Sequence, residues 1–576
     1  MRPRSGAAQV LLIGGDTELA EALVTAGAQV EHRPTMRPDV LESAPDELSH
    51  VVYAVGWQPG PATAAEAPGQ LIEGLFVLAK ALDEELPDQE LALVVVGSGA
   101  ARVLPDDRVA PESNALAALT NSIGLEFSDL TASYVDADHT VSRSALARAV
   151  LAADGGPDRF LRGECGWLRQ LESVELPEPA PIATEGGCYL ITGGTGALGL
   201  EVAGRLAEQA PVTIGLLARS DWDTDSADQA RRADIAARLE QIRRNGSTVV
   251  EFRADVTDLA AMAGVVRELR RQTADARITG VFHCAGQAGE GIIVNKSLER
   301  FRSVVSAKVD GAIILDMVTR DDPPEFLALY SSVLAIFGDI GQSDYMAGNA
   351  YLDAFAEWRE SCGRRTRVIN WPAWLEVGMA VRHGVAGGDN TIASMSTAAA
   401  LDALGSTLAG KRVQVLPGQA NPARIVGHRG LRSVLAIGLH QVSEPKVPPL
   451  AQPPELPFVD SEEYTPTERE LLRVWAETLQ VKRIDIYDDF ADLGGQSFLA
   501  IQLYKAINRA FEQQIEVSDI YSFPSVQQLA AEMDRRARVL TSAAVVKEEV
   551  DLGSLIQRIK QGKTSVADAV DLLRAN

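Results

Sequence analysis

A serine, a tyrosine and an asparagine stand at spacings that suit the reduction of a carbonyl group. Ser332 follows the apolar run 326–330, which predicts a buried strand, and Tyr345 comes thirteen residues later, beyond a loop that contains glycines. Asn349 is four residues after Tyr345, so the two share one face of the helix predicted there. Reduction of a ketone needs a proton donor and a group that holds the oxygen as charge develops. We expect Tyr345 to protonate this oxygen and Ser332 to hydrogen-bond it.

A phenol, whose pKa is ordinarily about 10, is helped as a proton donor by a cation that stabilises the tyrosinate. Lys308, in the segment 306–311, is the candidate cation, and Asn349 could orient it or a relay water. Each residue alone also has a structural interpretation: Lys308 as a solvated helix lysine, Asn349 as a residue at a helix start, and Ser332 as a loop hydroxyl. Their occurrence together favours catalysis.

A glycine-rich turn at residues 192–199 lies between a predicted strand and a predicted helix, and it predicts a dinucleotide site. Its glycines allow a tight turn, close approach of a pyrophosphate and close packing of helix on strand. The next strand ends at Arg219, where NAD-binding folds carry an acid. An arginine can pair with a 2′-phosphate, which favours NADPH over NADH. The alternative is that Arg219 is an exposed surface residue. The predicted cofactor contacts are Gly193, Gly194, Thr195, Gly196, Leu198, Gly199, Arg219, Ser220, Asp255, Val256, Ala285 and Gly286.

Two doubly wound α/β units in tandem are expected to position these residues. Residues 8–30 predict a strand, a glycine turn, a helix and a strand, and residues 188–218 begin the same pattern again. We assign residues 1–185 to a first unit and residues 186–440 to a second, catalytic unit. The predicted fold class is therefore α/β, with tandem Rossmann-like units built on parallel sheets.

The first unit departs from the dinucleotide pattern at its turn. It has Thr17 and Ala20 where the second unit has glycines, and it places Asp16 and Glu18 where phosphate charge would lie. Two carboxylates at such a site repel an anion. We interpret the first unit as a structural copy that binds no cofactor.

A third region carries a serine suited to covalent modification. Six prolines between residues 445 and 457 predict a stiff linker at 441–463, followed by a small helical bundle at 464–540. In the sequence DLGGQS, two glycines expose Ser497 at a predicted helix N-terminus, where the helix dipole favours a phosphodiester; the alternative is a capping serine only. Residues 541–576 predict a linker and short helices, either a docking element or an addition packed against its own chain.

Composition excludes several classes of function. The chain has 576 residues and a net charge of −25, which argues against nucleic acid or an anionic membrane as partner. Four cysteines far apart, without CxxC spacing, give no zinc site and indicate a reducing compartment. With no signal-type or membrane-spanning stretch, a cytoplasmic protein that binds no metal is expected.

Together these motifs resemble the ketoreductase domain of modular polyketide synthases, a branch of the short-chain dehydrogenase/reductases. The resemblance covers residues 1 to about 440, and in that branch an inactive unit likewise precedes the catalytic one. The family motifs TGGTGxLG, HxAG, KxxG and SS…Y…AN match Thr192–Gly199, His283–Gly286, Lys308–Gly311 and the set Ser331, Ser332, Tyr345 and Asn349. Gly348 replaces the usual alanine, and the lysine stands 24 residues before the serine, as in the polyketide branch.

The resemblance implies a role for each site residue. Tyr345 would be the proton donor, Ser332 the ligand of the oxygen, and Lys308 and Asn349 the supporting pair. The segment that ends in Ser497 resembles the LGGxS motif of acyl and peptidyl carrier proteins, which implies 4′-phosphopantetheine on this serine.

The implied function is NADPH-dependent reduction of a carrier-bound 3-oxoacyl group to a 3-hydroxyacyl group in a polyketide or hybrid polyketide/nonribosomal peptide assembly line. Implied partners are upstream ketosynthase or condensation modules, a downstream module that binds the C-terminal segment, and a phosphopantetheinyl transferase. Reduction of a 2-oxoacyl thioester in a depsipeptide-forming synthetase is an alternative, because LGGQS is more peptidyl-like and Pro372 replaces a family glycine. A second alternative is a non-catalytic scaffold that presents the carrier.

Two positions bear on the configuration of the product. Family members that give the D-hydroxyl usually carry an aspartate in the loop after HxAG, where this chain has Glu290. Members that give the L-hydroxyl usually have a tryptophan eight residues before the tyrosine, where this chain has Phe337. Neither pattern is complete, and the carboxylate of Glu290 favours the D-hydroxyl.

Overall fold

The computed structural model describes two stretches of the chain. The first is 7–421, except 38–39, 42–44, 46–47, 56, 58–66, 87–88, 128, 157, 220–228, 274–276, 290 and 383–389. The second is 464–536, except 480–483, 489, 491–502, 505, 509, 512–514, 516–518 and 521–522. The proline-rich linker, Ser220, Glu290, Ser497 and the C-terminal segment 541–576 lie outside the described residues. Contacts divide the chain into a unit of residues 1–439 and a unit of residues 440–576.

The first half of the larger unit is built on a seven-stranded sheet in the order β2-β1-β3-β4-β5-β6-β7. Its strands are β1 Gln9–Gly14, β2 Gln29–Arg33, β3 His50–Ala54, β4 Leu91–Gly97, β5 Leu130–Ala137, β6 Arg159–Arg162 and β7 Cys165–Trp167. The helices are α1 Thr17–Thr25, α2 Pro68–Glu85, α3 Pro111–Glu126 and α4 Arg143–Leu151. All strand pairs are parallel except β6 with β7.

The second half has an all-parallel sheet in the order β10-β9-β8-β11-β12-β13-β14. Its strands are β8 Cys188–Thr192, β9 Thr213–Ala218, β10 Thr248–Arg253, β11 Gly280–His283, β12 Phe326–Ser332, β13 Thr366–Trp371 and β14 Gln414–Val415. Its helices are α5 Ala197–Gln209, α6 Gln229–Arg244, α7 Leu259–Arg271, α8 Leu298–Thr319, α9 Leu334–Phe337, α10 Ser343–Ser361, α11 Met379–Arg382 and α12 Thr397–Ala409, with a 3₁₀ turn at Ile293–Asn295.

Continuous apolar runs form the central strands because helices cover both faces of each sheet. Every residue of β4 and of β12 is buried, as expected for such strands. The predicted α/β class with parallel-dominated sheets is confirmed. Among the described residues, the two sheets differ at one edge, where two strands lie beyond β8 and one lies beyond β1.

The two halves share one hydrophobic core, which α2 and α3 form with α8 and α10. Phe76 of α2 stacks on Phe301 of α8 with ring centroids 4.1 Å apart. Ala118 of α3 packs against Met346 and Ala350 of α10. The helix that carries Tyr345 is therefore supported directly by the first half of the chain.

The described part of the smaller unit has its own core. Its first helix, Pro466–Leu479, starts with a capping box: Glu468 N–H donates to Thr465 Oγ1 at 3.1 Å, and Thr465 N–H donates to Glu468 Oε2 at 2.8 Å. Trp475 of this helix is buried against the edge of Phe490. Among the helices that the structure describes, none is long and apolar enough to cross a membrane.

Candidate active site

Ser332, Tyr345 and Asn349 are brought together by the end of one strand and the start of one helix. Ser332 is the last residue of β12, and its Oγ accepts a hydrogen bond from Leu334 N–H at 3.2 Å. Tyr345 lies in the first turn of α10, and Asn349 Nδ2 donates to the Tyr345 carbonyl at 2.8 Å. The amide oxygen of Asn349 is buried without a hydrogen-bond partner among the described residues. This oxygen can therefore accept a hydrogen bond from a substrate or from a water molecule.

The phenol of Tyr345 is set between two opposing influences. Burial raises its pKa above the ordinary value of 10, while hydrogen bonding with the side chains of Ser332 and Asn349 acts in the opposite direction. A hydroxyl that keeps its proton at neutral pH and lies between two hydrogen-bonding side chains can serve as an acid. These three side chains therefore form one site.

Lys308 lies behind this group, on α8. Its side chain is buried, and its Nζ donates to the Tyr330 carbonyl at 2.7 Å, two residues before Ser332. Burial lowers the pKa of Lys308 from 10.5 to about 8, against the raising effect of Cys284 and Asp353. The amino group thus reaches the same end of β12, but its hydrogen bond goes to the strand backbone.

The turn after β8 has the close approaches that its glycines predict. Gly193 has φ +65°, and a Cβ there would lie 2.9 Å from the backbone nitrogen of Ala285. At Gly199 a Cβ would lie 2.6 Å from the Gly193 carbonyl oxygen. Side chains at these positions would separate α5 from the turn and fill the space in front of it.

The N-termini of α5 and α1 differ in a way that decides which could hold a phosphate. The N-cap of α5 is Gly196, which makes no side-chain cap, so the first N–H groups of this helix stay available. The N-cap of α1 is Asp16, whose carboxylate accepts from Leu19 N–H at 2.8 Å and pairs with Arg143 at 2.6 Å. A dinucleotide phosphate therefore fits at α5, whereas a carboxylate already occupies the equivalent place at α1.

The other predicted cofactor residues follow the carboxyl ends of β8 to β11. Arg219 is exposed after β9, and Val256 is buried after β10. The carboxylate of Asp255 accepts from Thr257 N–H at 2.9 Å, so it also shapes its own turn. Gly286 follows β11, and a Cβ there would lie 2.8 Å from Lys308 Cε. The residues Gly194, Thr195, Leu198 and Ala285 lie in the turn, at the start of α5 and after β11.

Comparison with known proteins identifies two domain families in the chain. The KR domain model matches residues 187–376, and the phosphopantetheine attachment site model matches residues 469–533. The chain therefore contains a KR domain and a phosphopantetheine attachment domain. The expected pairing of these two domains is thereby confirmed.

Relatives and solved structures support the assignment. Polyketide synthase GfsB from Streptomyces halstedii is 30% identical over 397 residues, which are 66% of this chain and 6% of that protein. A structure of A-type ketoreductases from a modular polyketide synthase is 28% identical with a TM-score of 0.59, and the match covers 73% of this chain and 90% of that one. The chain spans 4% to 17% of the length of several curated polyketide synthases that it matches.

A third comparison shows the fold alone. The structure of adenylation, ketoreductase and pseudo-Asub domains of a keto acid-selecting nonribosomal peptide synthetase module is 16% identical, with a TM-score of 0.65. The match covers 76% of this chain and 40% of that one. The fold of the ketoreductase domain is therefore shared between two kinds of assembly line.

The ketoreductase domain also contains a buried polar network that no sequence motif predicts. Asn370 Nδ2 lies 2.9 Å from Asp353 Oδ2 and 3.1 Å from both Ser331 Oγ and the Ser332 carbonyl. Ser331 Oγ in turn donates to the Asn349 carbonyl at 3.2 Å. Burial raises the pKa of Asp353 to about 7, against the effect of the hydrogen bonds from Asn370 and Ser331. This network fixes the end of β12 to α10 and hence Ser332 to Asn349.

The spacing of Asp353 could have revealed this role. It lies eight residues after Tyr345 and four after Asn349, on the same helical face. A carboxylate on the same helical face as Tyr345 and Asn349 is rarely buried without a partner. The partner Asn370, which ends a strand in a different part of the sequence, could not be identified from spacing.

Proposed function

We propose that this chain reduces a 3-oxoacyl group, held as a thioester on phosphopantetheine at Ser497, to a 3-hydroxyacyl group with NADPH. The observation that supports the proposal is the grouping of Ser332, Tyr345 and Asn349 at the end of β12. This group adjoins a buried lysine, and the domain has an uncapped helix suited to a dinucleotide phosphate.

The proposed reaction assigns one task to each residue. Ser332 donates a hydrogen bond to the ketone oxygen and orients it, while Tyr345 transfers the phenolic proton to that oxygen as negative charge develops. NADPH, when bound, would supply the hydride. The cation of Lys308 stabilises the negative charge near the tyrosinate, and the free amide oxygen of Asn349 holds a water that returns the proton.

Arg219 supports NADPH over NADH as the reductant. It follows β9 at the position where an acid would bind a ribose hydroxyl, and its guanidinium suits a 2′-phosphate. The residues proposed to hold the pyrophosphate are the glycines of the turn and the first N–H groups of α5. Asp255 and Val256 would lie beside the adenine, and Ala285 and Gly286 beside the nicotinamide ribose.

The carrier domain supports delivery of the substrate on a flexible arm. Ser497 lies within the matched residues 469–533, and we propose it as the attachment point that a phosphopantetheinyl transferase modifies. Tethering raises the local concentration of the thioester at the ketoreductase domain. The proposed partners are upstream condensing modules and a downstream module that the C-terminal segment binds. After treatment with a phosphopantetheinyl transferase, mass spectrometry should show the added mass of one phosphopantetheine on the wild type. The Ser497→Ala variant should show no such gain.

The decisive assay compares matched 3-oxoacyl and 2-oxoacyl thioesters with NADPH, using the full-length chain. We expect faster reduction of the 3-oxo compound, and chiral analysis of its product gives the configuration of the hydroxyl. Tyr345→Phe should lower kcat by at least a hundredfold with little change in NADPH affinity, because it removes the proton donor alone. Unchanged NADPH oxidation by this variant would mean that Tyr345 is not the proton donor, whereas a wild type that oxidises no NADPH would favour a scaffold that only presents the carrier.

A preference for the 2-oxo thioester would replace the substrate and keep the chemistry. The fold is compatible with both outcomes, since a keto acid-selecting module shares it. Pro372, where the family resemblance implies a glycine, lies next to β13. The assay therefore decides a question that the fold leaves open.

A further inference from the structure

One carboxylate of the first half of the chain contacts the segment that leads to Tyr345. Glu126 is the last residue of α3, and it accepts a hydrogen bond from Ile293 N–H at 2.6 Å and another from Gly341 N–H at 2.9 Å. These two backbone groups lie 167 and 215 residues away from it along the chain. One carboxylate therefore ties together two separate segments of the ketoreductase domain.

A buried ion pair joins the same two segments. Lys296 Nζ lies 2.6 Å from Asp344 Oδ1, and neither side chain is exposed. The amino group also lies 3.5 Å from the Gly341 carbonyl oxygen. Asp344 Oδ1 accepts from the Tyr345 N–H at 2.9 Å, so the pair reaches the first turn of α10. The position of this turn thus depends on the segment that Glu126 holds.

The two segments also touch directly beside the tyrosine. Gln342 Nε2 donates to the Gly289 carbonyl at 2.9 Å. A Cβ added at Gly289 would lie 2.4 Å from Asp344 Oδ1 and 3.2 Å from Tyr345 Cβ. Because the segments are in close contact, a displacement of either one moves the tyrosine.

We propose that Glu126 is a positioning residue through which the cofactor-free half sets the place of Tyr345 relative to the ketone. It acts through two backbone N–H groups and does not touch the reacting atoms. Lys80 of the same half supports it, since its Nζ donates to the Lys296 carbonyl at 3.1 Å. The inference rests on the proposed reduction, because it concerns the same tyrosine.

The chemistry of Glu126 makes it difficult to replace. Burial raises its pKa, while the N–H groups of Ile293 and Gly341 and the charge of Lys296 act in the opposite direction. A carboxylate can accept from both N–H groups at once. Glutamine has nearly the same size but offers one acceptor, and its NH₂ group would face the second N–H donor. Glu126→Gln therefore releases one of the two segments.

The test uses the full-length chain with a soluble 3-oxoacyl thioester and NADPH. We expect Glu126→Gln to lower kcat at least tenfold and to lower the enantiomeric excess of the product, with NADPH affinity within twofold of wild type. The matched control is Glu73→Gln, since Glu73 accepts from Arg302 at 2.8 and 2.6 Å across the same two halves but away from the tyrosine. It should stay within twofold of wild type in each quantity.

Three outcomes separate the possible failures. An inactive wild type would refute the proposed function itself. An active wild type with Glu126→Gln indistinguishable from Glu73→Gln, or impaired only in NADPH binding, would overturn the positioning role. If Glu126→Gln does not fold, Ser122→Ala decides, because it removes only the hydroxyl that donates to Glu126 Oε1 at 3.2 Å. We expect a two- to fivefold fall in kcat with unchanged NADPH affinity, and no change would overturn the proposal.

Discussion

Replacing Lys308 by methionine should stabilise the ketoreductase domain while it removes most of the activity. Methionine keeps an unbranched stem of similar length and has no charge to bury. The proposed reaction uses the cation of Lys308 to stabilise the tyrosinate, so kcat should fall by at least a hundredfold. The lysine that the proposed reaction needs therefore lowers the stability of the folded domain.

The size of this cost follows from the pKa of Lys308. A fall from 10.5 to about 8 means that the folded protein disfavours the charged form by about 3 kcal/mol at neutral pH, at about 1.4 kcal/mol per pKa unit. Methionine leaves the Tyr330 carbonyl without its hydrogen bond, which costs about 1 kcal/mol. The net expected gain at pH 7 is therefore about 2 kcal/mol, or about 2 °C in the unfolding midpoint of a unit of this size.

The gain should depend on pH with a definite sign. Below pH 8 lysine is charged in both the folded and the unfolded state, so wild type bears the whole cost. Between pH 8 and 10.5 the folded state loses its proton first, so the stability of wild type rises and the advantage of Lys308→Met declines. Near pH 10 the midpoints of the two proteins should nearly coincide.

Scanning calorimetry of the full-length proteins at pH 7 and pH 10 measures the effect. The transition that NADPH shifts to higher temperature identifies the ketoreductase domain, and the comparison itself is made without NADPH. Lys80→Met is the matched control: Lys80 also donates to a backbone carbonyl but is partly exposed, so its loss should not raise the midpoint. A Lys308→Met midpoint below wild type at pH 7, or an advantage that persists at pH 10, would refute the reasoning.

Three further variants test the surroundings of the site. Asp353→Asn removes a carboxylate that raises the pKa of Lys308. The pH at which kcat/KM falls on the alkaline side should therefore decrease. An unchanged pH profile would contradict an electrostatic effect of Asp353 on Lys308. Gly348→Ala places a Cβ 3.3 Å from Lys308 Cβ and Cγ. A small shift of the lysine should accommodate this Cβ, so kcat should stay within about threefold of wild type. A tenfold loss of kcat would show that the lysine cannot move. Arg219→Gln should weaken binding of NADPH at least tenfold and that of NADH less than twofold, and equal losses in a fluorescence titration would argue against a 2′-phosphate contact.

Local signals in the sequence were sufficient for the main elements of the catalytic half. The run 326–330 forms the core of β12, and the helix expected at Tyr345 and Asn349 is α10. Each prediction depended on a short stretch of sequence in which the spacing of apolar residues and the position of glycines indicate one secondary structure. The contrast between the turns was also visible, because Asp16 both occupies the place of a phosphate and caps α1.

Long-range polar contacts could not be predicted from these signals. Glu126 is an ordinary helix-end glutamate in the sequence, and no side chain at Ile293 or Gly341 indicates that their backbone N–H groups bind it. The ion pair of Lys296 and Asp344 spans 48 residues, and burial of both charges depends on tertiary packing. The antiparallel strand β7 was missed because its three residues have no apolar periodicity.

The two halves meet through equivalent helices. This contact explains why the first half remains part of the fold although Asp16 occupies the phosphate position of its turn. Helices α2 and α3 flank β4 in the order in which α8 and α10 flank β12, and α2 packs on α8 while α3 packs on α10. Asn114 Nδ2 of α3 donates to the Ala350 carbonyl of α10 at 2.7 Å. Equivalent surfaces in mutual contact are the pattern of a two-fold dimer, here formed within one chain. In such a pair one half can lose its ligand site without loss of the interface, because α3 still buries the apolar face of α10. The end of α3 is then free to place a carboxylate, Glu126, beside the segment that leads to the partner helix's tyrosine.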